Sequence, residues 1–252
     1  AKINLALHVR ERRGDGYHAL ESLFAFAQDG DRLTGRLCDD GGISLTIDGP
    51  FAAGLDAGED NLVIRAAMAI RERIGESRGV ALHLDKRLPV ASGIGGGSAD
   101  AAATMRLLLR LWNARIDDAT LADIALDIGS DVPACLSSRT QFVRGRGEHL
   151  APQAVAGLAD APLLLVNPGI ALSTGKIFAG WDGVDRGPLE ATDLGALIAF
   201  GRNDLQPSAL ALAPAIADVI AALARCQGAA FVRMSGSGAT CSVLSSMARP
   251  SV

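Results

Sequence analysis

A run of glycines ahead of a helical pattern most constrains what this chain can fold into. Residues 88–100 are Leu-Pro-Val-Ala-Ser-Gly-Ile-Gly-Gly-Gly-Ser-Ala-Asp, and apolar residues then recur at Met105, Leu108, Leu109 and Trp112. This i, i+3, i+4, i+7 spacing predicts an amphipathic helix that begins just after the three glycines. Backbone N–H groups free of side chains, followed by a helix N-terminus, form a site for a phosphate group. A flexible loop that binds nothing is the alternative.

Two common phosphate-binding loops do not match this run. A P-loop requires Gly-x-x-x-x-Gly-Lys-Ser/Thr, and that string does not occur in the sequence. A dinucleotide-binding loop requires Gly-x-Gly-x-x-Gly directly after a strand. Here Ser98 takes the third glycine position, and the preceding strand pattern ends near Leu84. Ser98 itself would cap the helix or contact a phosphate or its magnesium ion.

Strand and helix patterns alternate along the chain without a regular βαβ rhythm, which favours an α+β fold. Alternating apolar residues over 3–9 predict a half-buried strand that places Lys2 and Asn4 on one face. Two further strands, 32–37 and 43–48, are predicted to form a hairpin across Asp-Asp-Gly-Gly. The remaining predicted strands are 80–84, 161–166, 229–234 and 241–244.

Helical patterns occupy much of the rest of the chain. The predicted helices are 60–74, the one after the glycines, one that begins at Thr120 with Asp123 and ends at Gly129, a short one after Asp131, and most of 188–225. The pattern changes after Glu148, so we predict two domains, 1–150 and 151–252.

Composition excludes several classes of function. The chain carries 24 basic and 28 acidic residues, a net charge of −4, so it has no general attraction to nucleic acid or to an anionic membrane surface. No apolar run reaches the length of a membrane span. Four cysteines without a Cys-x-x-Cys pair predict neither a disulfide framework nor a zinc site. We expect a cytoplasmic protein, a monomer or weak homodimer, that acts on a small molecule.

Three segments, in this order, resemble the motifs of the GHMP kinases, the superfamily of galactokinase, homoserine kinase and mevalonate kinase: 1–5, 88–103 and 233–240. Asp-Gly-Tyr-His at 15–18 and Gly-Ser-Asp-Val-Pro at 129–133 resemble the branch whose acceptor is a cytidine diphosphate ester. The resemblance implies a two-domain α+β fold with the active site in the cleft between the domains. It also implies ATP and Mg²⁺, and phosphorylation of the acceptor's 2-hydroxyl in isoprenoid precursor biosynthesis.

The resemblance assigns residues to both substrates. The implied nucleotide-binding residues are Pro89, Val90, Ala91, Ser92, Gly93, Ile94, Gly95, Gly96, Gly97, Ser98 and Ala99. For the acceptor, Tyr17 would stack on cytosine, His18 would hydrogen-bond to its edge and Phe178 would cover its other face. The further acceptor-side residues are Asn4, Phe24, Thr174, Ser237 and Gly238. Without the resemblance, packing residues and a tight hairpin at 235–238 are the alternatives.

The resemblance also implies a catalytic pair. Asp131 would accept the proton of the acceptor hydroxyl, because phosphoryl transfer to an alcohol needs a base. Lys2 would hold that carboxylate ionised and polarise the attacking oxygen. A helix N-cap for Asp131 and a solvated surface lysine for Lys2 are the alternative interpretations.

Two other functions remain open on the sequence alone. One is a GHMP kinase for another alcohol, such as homoserine or mevalonate, and Tyr17, His18 and Phe178 argue against it because a base slot has no use without a base. The other is a nucleotide-binding relative without turnover, against which Lys2 and Asp131 together argue. The family's closing strand and helix find no counterpart after Leu244, so we expect a shortened C-terminal domain.

Overall fold

The computed structural model describes residues 1–159 and 161–245. Within them the strands are β1 Lys2–Arg12, β2 His18–Phe26, β3 Arg32–Cys38, β4 Ile43–Asp48, β5 Gly79–Asp85, β6 Gln141–Gly145, β7 His149–Pro152, β8 Leu163–Val166, β9 Ala229–Met234 and β10 Cys241–Ser245. The helices are α1 Leu62–Ile74, α2 Gly96–Leu111, α3 Asp118–Ile128, α4 Val132–Ser137, α5 Thr174–Ala179, α6 Leu194–Phe200, α7 Gln206–Leu212 and α8 Ala215–Ala224. In this part of the chain, no helix is long and apolar enough to cross a membrane. The predicted shortening of the C-terminal domain concerns 245–252, of which Ser245 ends β10 and 246–252 lie outside the described residues.

The chain forms two compact units. Unit 1 comprises Ala1, Gln28–Val90 and Gly95–Ser138, and unit 2 comprises Lys2–Ala27, Ala91–Ile94 and the described part of Arg139–Val252. This grouping differs from a division of the chain at residue 150, because β1 and β2 join β6 and β7 in one sheet. The domains 1–150 and 151–252 stay a prediction.

The sheet of unit 1 corrects the predicted hairpin. β3 and β4 do not pair with each other, since β5 lies between them, antiparallel to β3 and parallel to β4. The turn at Asp-Asp-Gly-Gly does form, but its Gly42 carbonyl accepts a hydrogen bond from Val80 N, at the start of β5. The apolar side chains of β5, Val80, Leu82 and Leu84, are buried, which explains why this strand takes the central position.

The helix boundaries of unit 1 follow side-chain caps. α1 begins where Asn61 accepts from Val63 N, and it ends at Gly75, whose φ of 65° lies in the left-handed region. α3 begins at Asp118, two residues before the predicted Thr120 start, because Asp117 caps the helix by accepting from Thr120 N. It ends at Gly129, as predicted.

Unit 2 contains two antiparallel sheets, with strand orders β1-β2-β6-β7 and β8-β10-β9. β1 is buried on both faces from Lys2 to Val9, so the prediction of a half-buried strand is wrong. Leu7 and Val9 point into a core formed with α5, α7, α8 and β9–β10. The opposite face packs beneath the segment 187–203, where His8 Nδ1 lies 3.2 Å from Gly187 O. Leu7 also pairs with 202–204 through its backbone, so this sheet edge is covered.

Candidate active site

Lys2 and Asn4 lie on one face of β1, as predicted, and both are buried, with 3% and 4% of their surfaces exposed. Lys2 Nζ donates to Asn4 Oδ1 over 2.8 Å and stands 4.3 Å from the centre of the Phe24 ring on β2. Asn4 Nδ2 donates in turn to Ser22 Oγ at 2.9 Å. A buried ammonium requires such hydrogen bonds and an aromatic face to offset its lost hydration. The interpretation of Lys2 as a solvated surface lysine is therefore wrong.

Ser235, which follows β9, connects β1 to the glycine-rich loop. Its hydroxyl accepts from Asn4 N at 3.0 Å and donates to Gly93 O at 2.9 Å, and the residue has no exposed surface. A Cβ on Gly93 would lie 2.4 Å from Ser235 O, so the two backbones approach too closely for any other residue there. One hydroxyl thus joins the strand of Lys2, the loop 91–94 and the β9–β10 turn.

Asn203 holds the same turn from the other side, and no sequence pattern indicates this role. Its Nδ2 donates to the carbonyls of Met234 and Gly236 at 2.7 and 2.9 Å, while its Oδ1 accepts from Leu205 N. The residue is buried in a segment whose sequence pattern looks helical, so only its three-dimensional contacts identify it.

His18 lies in an aromatic cluster rather than in an open loop. Its ring is 5.0 Å from that of Phe178 with 38° between their planes, and 5.8 Å from that of Trp181 with 82° between them. Burial, together with the Arg12 guanidinium, lowers the pKa of His18. Trp181 was not predicted; its position three residues after Phe178, in a chain with two tryptophans, is the signal that could have found it.

Tyr17 differs from His18 in its surroundings, since 49% of its surface is exposed. The Arg146 guanidinium lies over the Tyr17 ring at 4.0 Å, and Asp15 Oδ1 accepts from Tyr17 N. Among the described residues Tyr17 makes no ring contact with Phe178. The structure therefore brings Phe178 into contact with His18, whereas the Tyr17 ring stacks against the Arg146 guanidinium instead.

The acceptor-side candidates of the β9–β10 turn lie beside α5. The hydroxyls of Thr174 and Ser237 are 3.0 Å apart at an exposed position. Gly238 has a φ of 89°, and a Cβ there would lie 2.8 Å from Met234 Sδ. β9 and β10 pair directly across this turn, so the tight hairpin predicted as the alternative at 235–238 does form. Its formation does not exclude a binding role for the same residues.

The predicted nucleotide loop divides between the units. Pro89 and Val90 end one segment of unit 1, Ala91–Ile94 belongs to unit 2, and Gly95 resumes unit 1. Gly95 is the N-cap of α2 with a left-handed φ of 59°, and no side chain caps this 16-residue helix. Gly96 and Gly97 form its first turn instead of preceding it. Ser98 is also inside that turn, so the prediction that it caps the helix is wrong. Its hydroxyl has no hydrogen-bond partner within the described chain.

A buried charge triad beneath this helix start was missed by the sequence analysis. Lys86 Nζ lies 2.6 Å from Asp31 Oδ2 and 2.7 Å from Asp100 Oδ2, and the three side chains are 4%, 2% and 8% exposed. Asp31 Oδ1 also accepts from the backbone N–H groups of Arg87 and Leu88. Burial raises the pKa of Asp100 to about 6, against the lowering effect of Lys86. A Cβ on Gly96 would stand 3.1 Å from Lys86 Nζ, so the triad supports the glycine turn directly.

Asp131 takes the N-cap position of α4, with Pro133 in the helix's first turn, but its side chain makes no capping hydrogen bond. The capping interpretation therefore does not account for its carboxylate. Lys2 belongs to unit 2 and Asp131 to unit 1, and their pairing stays a prediction.

Family models match two parts of the chain. Residues 61–139 match the GHMP kinases N terminal domain, and residues 189–250 match the GHMP kinases C terminal domain. The first of these contains the glycine turn, the charge triad's Lys86 and Asp100, and Asp131. The chain belongs to the GHMP kinase family, whose members are ATP-dependent kinases of small molecules. This confirms the α+β fold class and the predicted superfamily.

The chain is similar over nearly its whole length to proteins named 4-diphosphocytidyl-2-C-methyl-D-erythritol kinase. It is 53% identical to the one from Rhizorhabdus wittichii, with 97% of this chain and 83% of the relative covered. It is 51% identical to the one from Sphingopyxis alaskensis, with 97% and 86% covered. A crystal structure of 4-(cytidine 5'-diphospho)-2C-methyl-D-erythritol kinase matches with a TM-score of 0.76 and 36% identity over 97% of this chain and 87% of that one.

Proposed function

We propose that this chain transfers the γ-phosphoryl group of ATP to the 2-hydroxyl of 4-diphosphocytidyl-2-C-methyl-D-erythritol. The products are the 2-phosphate and ADP. The observation that carries the proposal is the similarity to relatives of that name, above 50% identity over 97% of this chain. The buried Lys2–Asn4–Phe24 arrangement and the His18–Phe178–Trp181 cluster give it a chemical basis within this chain.

The start of α2 fits a nucleotide phosphate. Its first turn presents backbone N–H groups that no side chain caps, and the glycines leave room for an anion to approach them. The helix dipole favours negative charge at the same end. Ser98, whose hydroxyl is uncommitted, would contact a phosphate or its Mg²⁺ ion. When bound, Mg²⁺ neutralises charge on the phosphate oxygens.

The acceptor would be recognised through its base and its polyol separately. His18 and Phe178 supply a polar edge and an aromatic face for cytosine, and Tyr17 supplies a second aromatic surface. Asn4, Phe24 and the Thr174–Ser237 hydroxyl pair would contact the remainder of the acceptor. These roles follow from chemistry: a desolvated base needs stacking, and a polyol needs hydrogen-bond donors and acceptors.

Proton transfer would be the task of Asp131. As the acceptor oxygen forms its bond to the γ-phosphorus, the hydroxyl proton passes to the Asp131 carboxylate, and the bond to the departing ADP oxygen breaks. Lys2 would hold the attacking oxygen and offset its developing charge. The burial of Lys2 and its contacts with Asn4 and Phe24 support this role. A cation already held in place costs little reorganisation free energy when the transition state forms.

The remaining assignments follow from this activity. The product would enter isoprenoid precursor biosynthesis, in the cytoplasm, and the chain would act as a monomer or weak homodimer without nucleic acid. Specificity for another alcohol, such as homoserine or mevalonate, finds less support, because neither would use the aromatic cluster around His18.

A coupled assay of ADP release tests the proposal. ATP and Mg²⁺ are supplied with 4-diphosphocytidyl-2-C-methyl-D-erythritol, homoserine or mevalonate in parallel. We expect ADP release above the acceptor-free rate with the cytidyl acceptor and none with the others. Turnover of homoserine or mevalonate in preference to the cytidyl acceptor would refute the proposal. Ser242→Ala serves as the folded control, because it removes a buried hydroxyl in β10 whose one side-chain hydrogen bond among the described residues is a 3.3 Å contact to Arg233 O.

A further inference from the structure

β1 forms one edge of its sheet, and the backbone N–H groups along that edge have two different sets of partners. In the first part of the strand, Lys2 N donates to Ile94 O at 2.9 Å, and Asn4 N donates to Ser235 Oγ at 3.0 Å. These partners belong to the loop 91–94 and to the turn that holds it. The part of β1 that carries the proposed catalytic lysine is therefore paired with the glycine-rich loop.

The second part of the strand has partners outside that loop. Leu7 N donates to Arg202 O at 2.8 Å, and Val9 N donates to Asp204 Oδ2 at 2.9 Å. An irregularity in the register with β2, directly after Asn4, separates the two parts. A change in the glycine-rich loop therefore acts on the first part of β1 rather than on the second.

The loop depends on the same contacts for its own shape. Its three carbonyls at 92–94 accept hydrogen bonds from Thr240 N, Ser235 Oγ and Lys2 N, at 3.1, 2.9 and 2.9 Å. Ala91, where the loop begins, has a φ of 50°, which a residue with a side chain rarely adopts. Such a conformation persists only where surrounding contacts enforce it, so a ligand that binds the loop stabilises it further.

The peptide bond between Ile94 and Gly95 connects the loop to the proposed phosphate site. Its carbonyl oxygen accepts from Lys2 N, and its N–H group lies on the N-cap residue of α2. N–H groups at a helix start have no partner within the helix and are available to an anion. An anion bound there polarises the peptide and strengthens the hydrogen bond that its carbonyl accepts.

We propose that the loop 91–94 couples the two substrates, so that a nucleotide bound at the start of α2 stabilises the first part of β1 and raises the affinity for the acceptor. The inference rests on the proposed function and deepens it. Each substrate stabilises the same loop, so the second to bind has less conformational entropy to lose. Ser235 is the positioning residue of this coupling, because its hydroxyl joins Asn4 N to Gly93 O.

Calorimetry on the whole chain measures the coupling. 4-Diphosphocytidyl-2-C-methyl-D-erythritol is titrated with Mg²⁺ present, with and without a saturating ATP analogue whose β,γ-bridge is an imido group, so that no transfer occurs. We expect the analogue to lower the acceptor's Kd about five- to fiftyfold, and the acceptor to lower the analogue's Kd by the same factor, because coupling is reciprocal. An acceptor Kd that stays the same or rises would overturn the inference.

Ser235→Ala distinguishes coupling through the loop from direct contact between the two ligands. It removes the hydroxyl that joins β1 to the loop and leaves both ligands as they are, so the coupling factor should fall below about twofold. A role in stability alone would weaken the binding of each ligand and leave the factor unchanged. The control Ser242→Ala, in β10 outside the loop, should keep the wild-type factor. A wild-type factor in Ser235→Ala would overturn the inference.

Amide hydrogen exchange in the wild-type chain gives a second test, which decides the matter if Ser235→Ala fails to fold. It is read residue by residue by nuclear magnetic resonance, with and without the imido analogue. The analogue alone should slow the exchange of the Asn4 and Thr240 amides more than that of the Leu7 and Val9 amides, whose partners lie outside the loop. Equal slowing of all four amides, or of none, would overturn the inference.

The proposed function and the coupling fail in different ways. A wild-type chain that does not phosphorylate the cytidyl acceptor would refute the proposed function, and amide exchange with the nucleotide analogue would still test whether the loop acts on β1. A chain that phosphorylates the cytidyl acceptor with a coupling factor near one would refute only the coupling.

Discussion

Replacement of Lys86 by methionine tests whether the buried charge triad stabilises unit 1. Lys86 Nζ lies within 2.7 Å of carboxylate oxygens of both Asp31 and Asp100, and methionine fills a similar volume without a charge. The change leaves two buried carboxylates facing each other. Removal of one partner from a buried ion pair costs about 3–5 kcal/mol, because the remaining charge is uncompensated. We expect Lys86→Met to lose that much of the free energy of unfolding at about pH 8.

The loss should depend on pH, and its sign follows from Asp100. The pKa of this carboxyl is raised from 3.8 to about 6 in the folded chain, chiefly by burial. Its contribution to stability is therefore full below its unfolded pKa and is lost as the pH rises through about 6. Without Lys86 the carboxyl binds its proton still more tightly, so the penalty of Lys86→Met should shrink as the pH is lowered towards 5.

Asp100→Asn is the matched control for this prediction. It removes one carboxylate and keeps the Lys86–Asp31 pair, so the triad loses its excess negative charge. We expect a free energy of unfolding within about 1 kcal/mol of wild type at about pH 8, and a weaker dependence on pH below 7.

Trp112 makes the measurement specific to unit 1. It is buried after α2, and the second tryptophan, Trp181, lies in unit 2. In a Trp181→Phe background, urea unfolding followed by fluorescence therefore reports unit 1. Two results would refute the reasoning. One is a free energy of unfolding for Lys86→Met within about 1 kcal/mol of that of its parent at about pH 8; the other is a loss of the same size at every pH.

Three further predictions concern the candidate site. Gly96→Val should weaken ATP binding at least tenfold by calorimetry and also destabilise unit 1, since even a Cβ would stand 3.1 Å from Lys86 Nζ. The control Gly14→Ala, at a position with open space around it, should change neither the ATP affinity nor the stability. Unchanged ATP affinity in Gly96→Val would place the phosphate elsewhere. Phe178→Ala and Tyr17→Ala should each raise the acceptor KM about five- to a hundredfold and leave the ATP KM unchanged, because each removes an aromatic face that would stack on the base. A parallel rise in both KM values together with a lower Tm would mean that Phe178 and Tyr17 are packing residues. Ser235→Ala should cost about 1–3 kcal/mol of stability, because it leaves the buried Asn4 N and the partly buried Gly93 O without their partner. A melt indistinguishable from that of Ser242→Ala would contradict this.

Features encoded by local sequence periodicity were predicted well. The apolar spacing after the glycines gave α2 nearly to its ends, and Gly129 ended α3 as expected. The short apolar segments 229–234 and 241–244, joined by a Ser- and Gly-rich turn, indicated the β9–β10 hairpin, whose partners are close in sequence. Motif order along the chain gave the family, because three separate segments matched in sequence order.

Features that depend on distant pairing were not predictable. The Asp-Asp-Gly-Gly turn indicated a hairpin, yet β5 separates β3 from β4, since a buried apolar strand gains more from the centre of the sheet than from its edge. Lys86 and Asp31 are 55 residues apart, and Asn203 lies 33 residues from Gly236, so no local pattern connects them. Burial on both faces of β1 likewise depends on the segment 187–203, which covers a face that looks polar in the sequence.

The most direct test of the central claim is the identity of the product. The cytidyl acceptor is incubated with ATP and Mg²⁺, and the product is examined by ³¹P nuclear magnetic resonance with mass spectrometry, for wild type and for Asp131→Asn. We expect wild type to add one phosphate monoester at the 2-hydroxyl with the diphosphate intact, and Asp131→Asn to form it about 10²–10⁴ times more slowly while it still binds ATP. A phosphate on another hydroxyl, ADP release without a phosphorylated acceptor, or near-normal turnover by a folded Asp131→Asn variant would contradict the account.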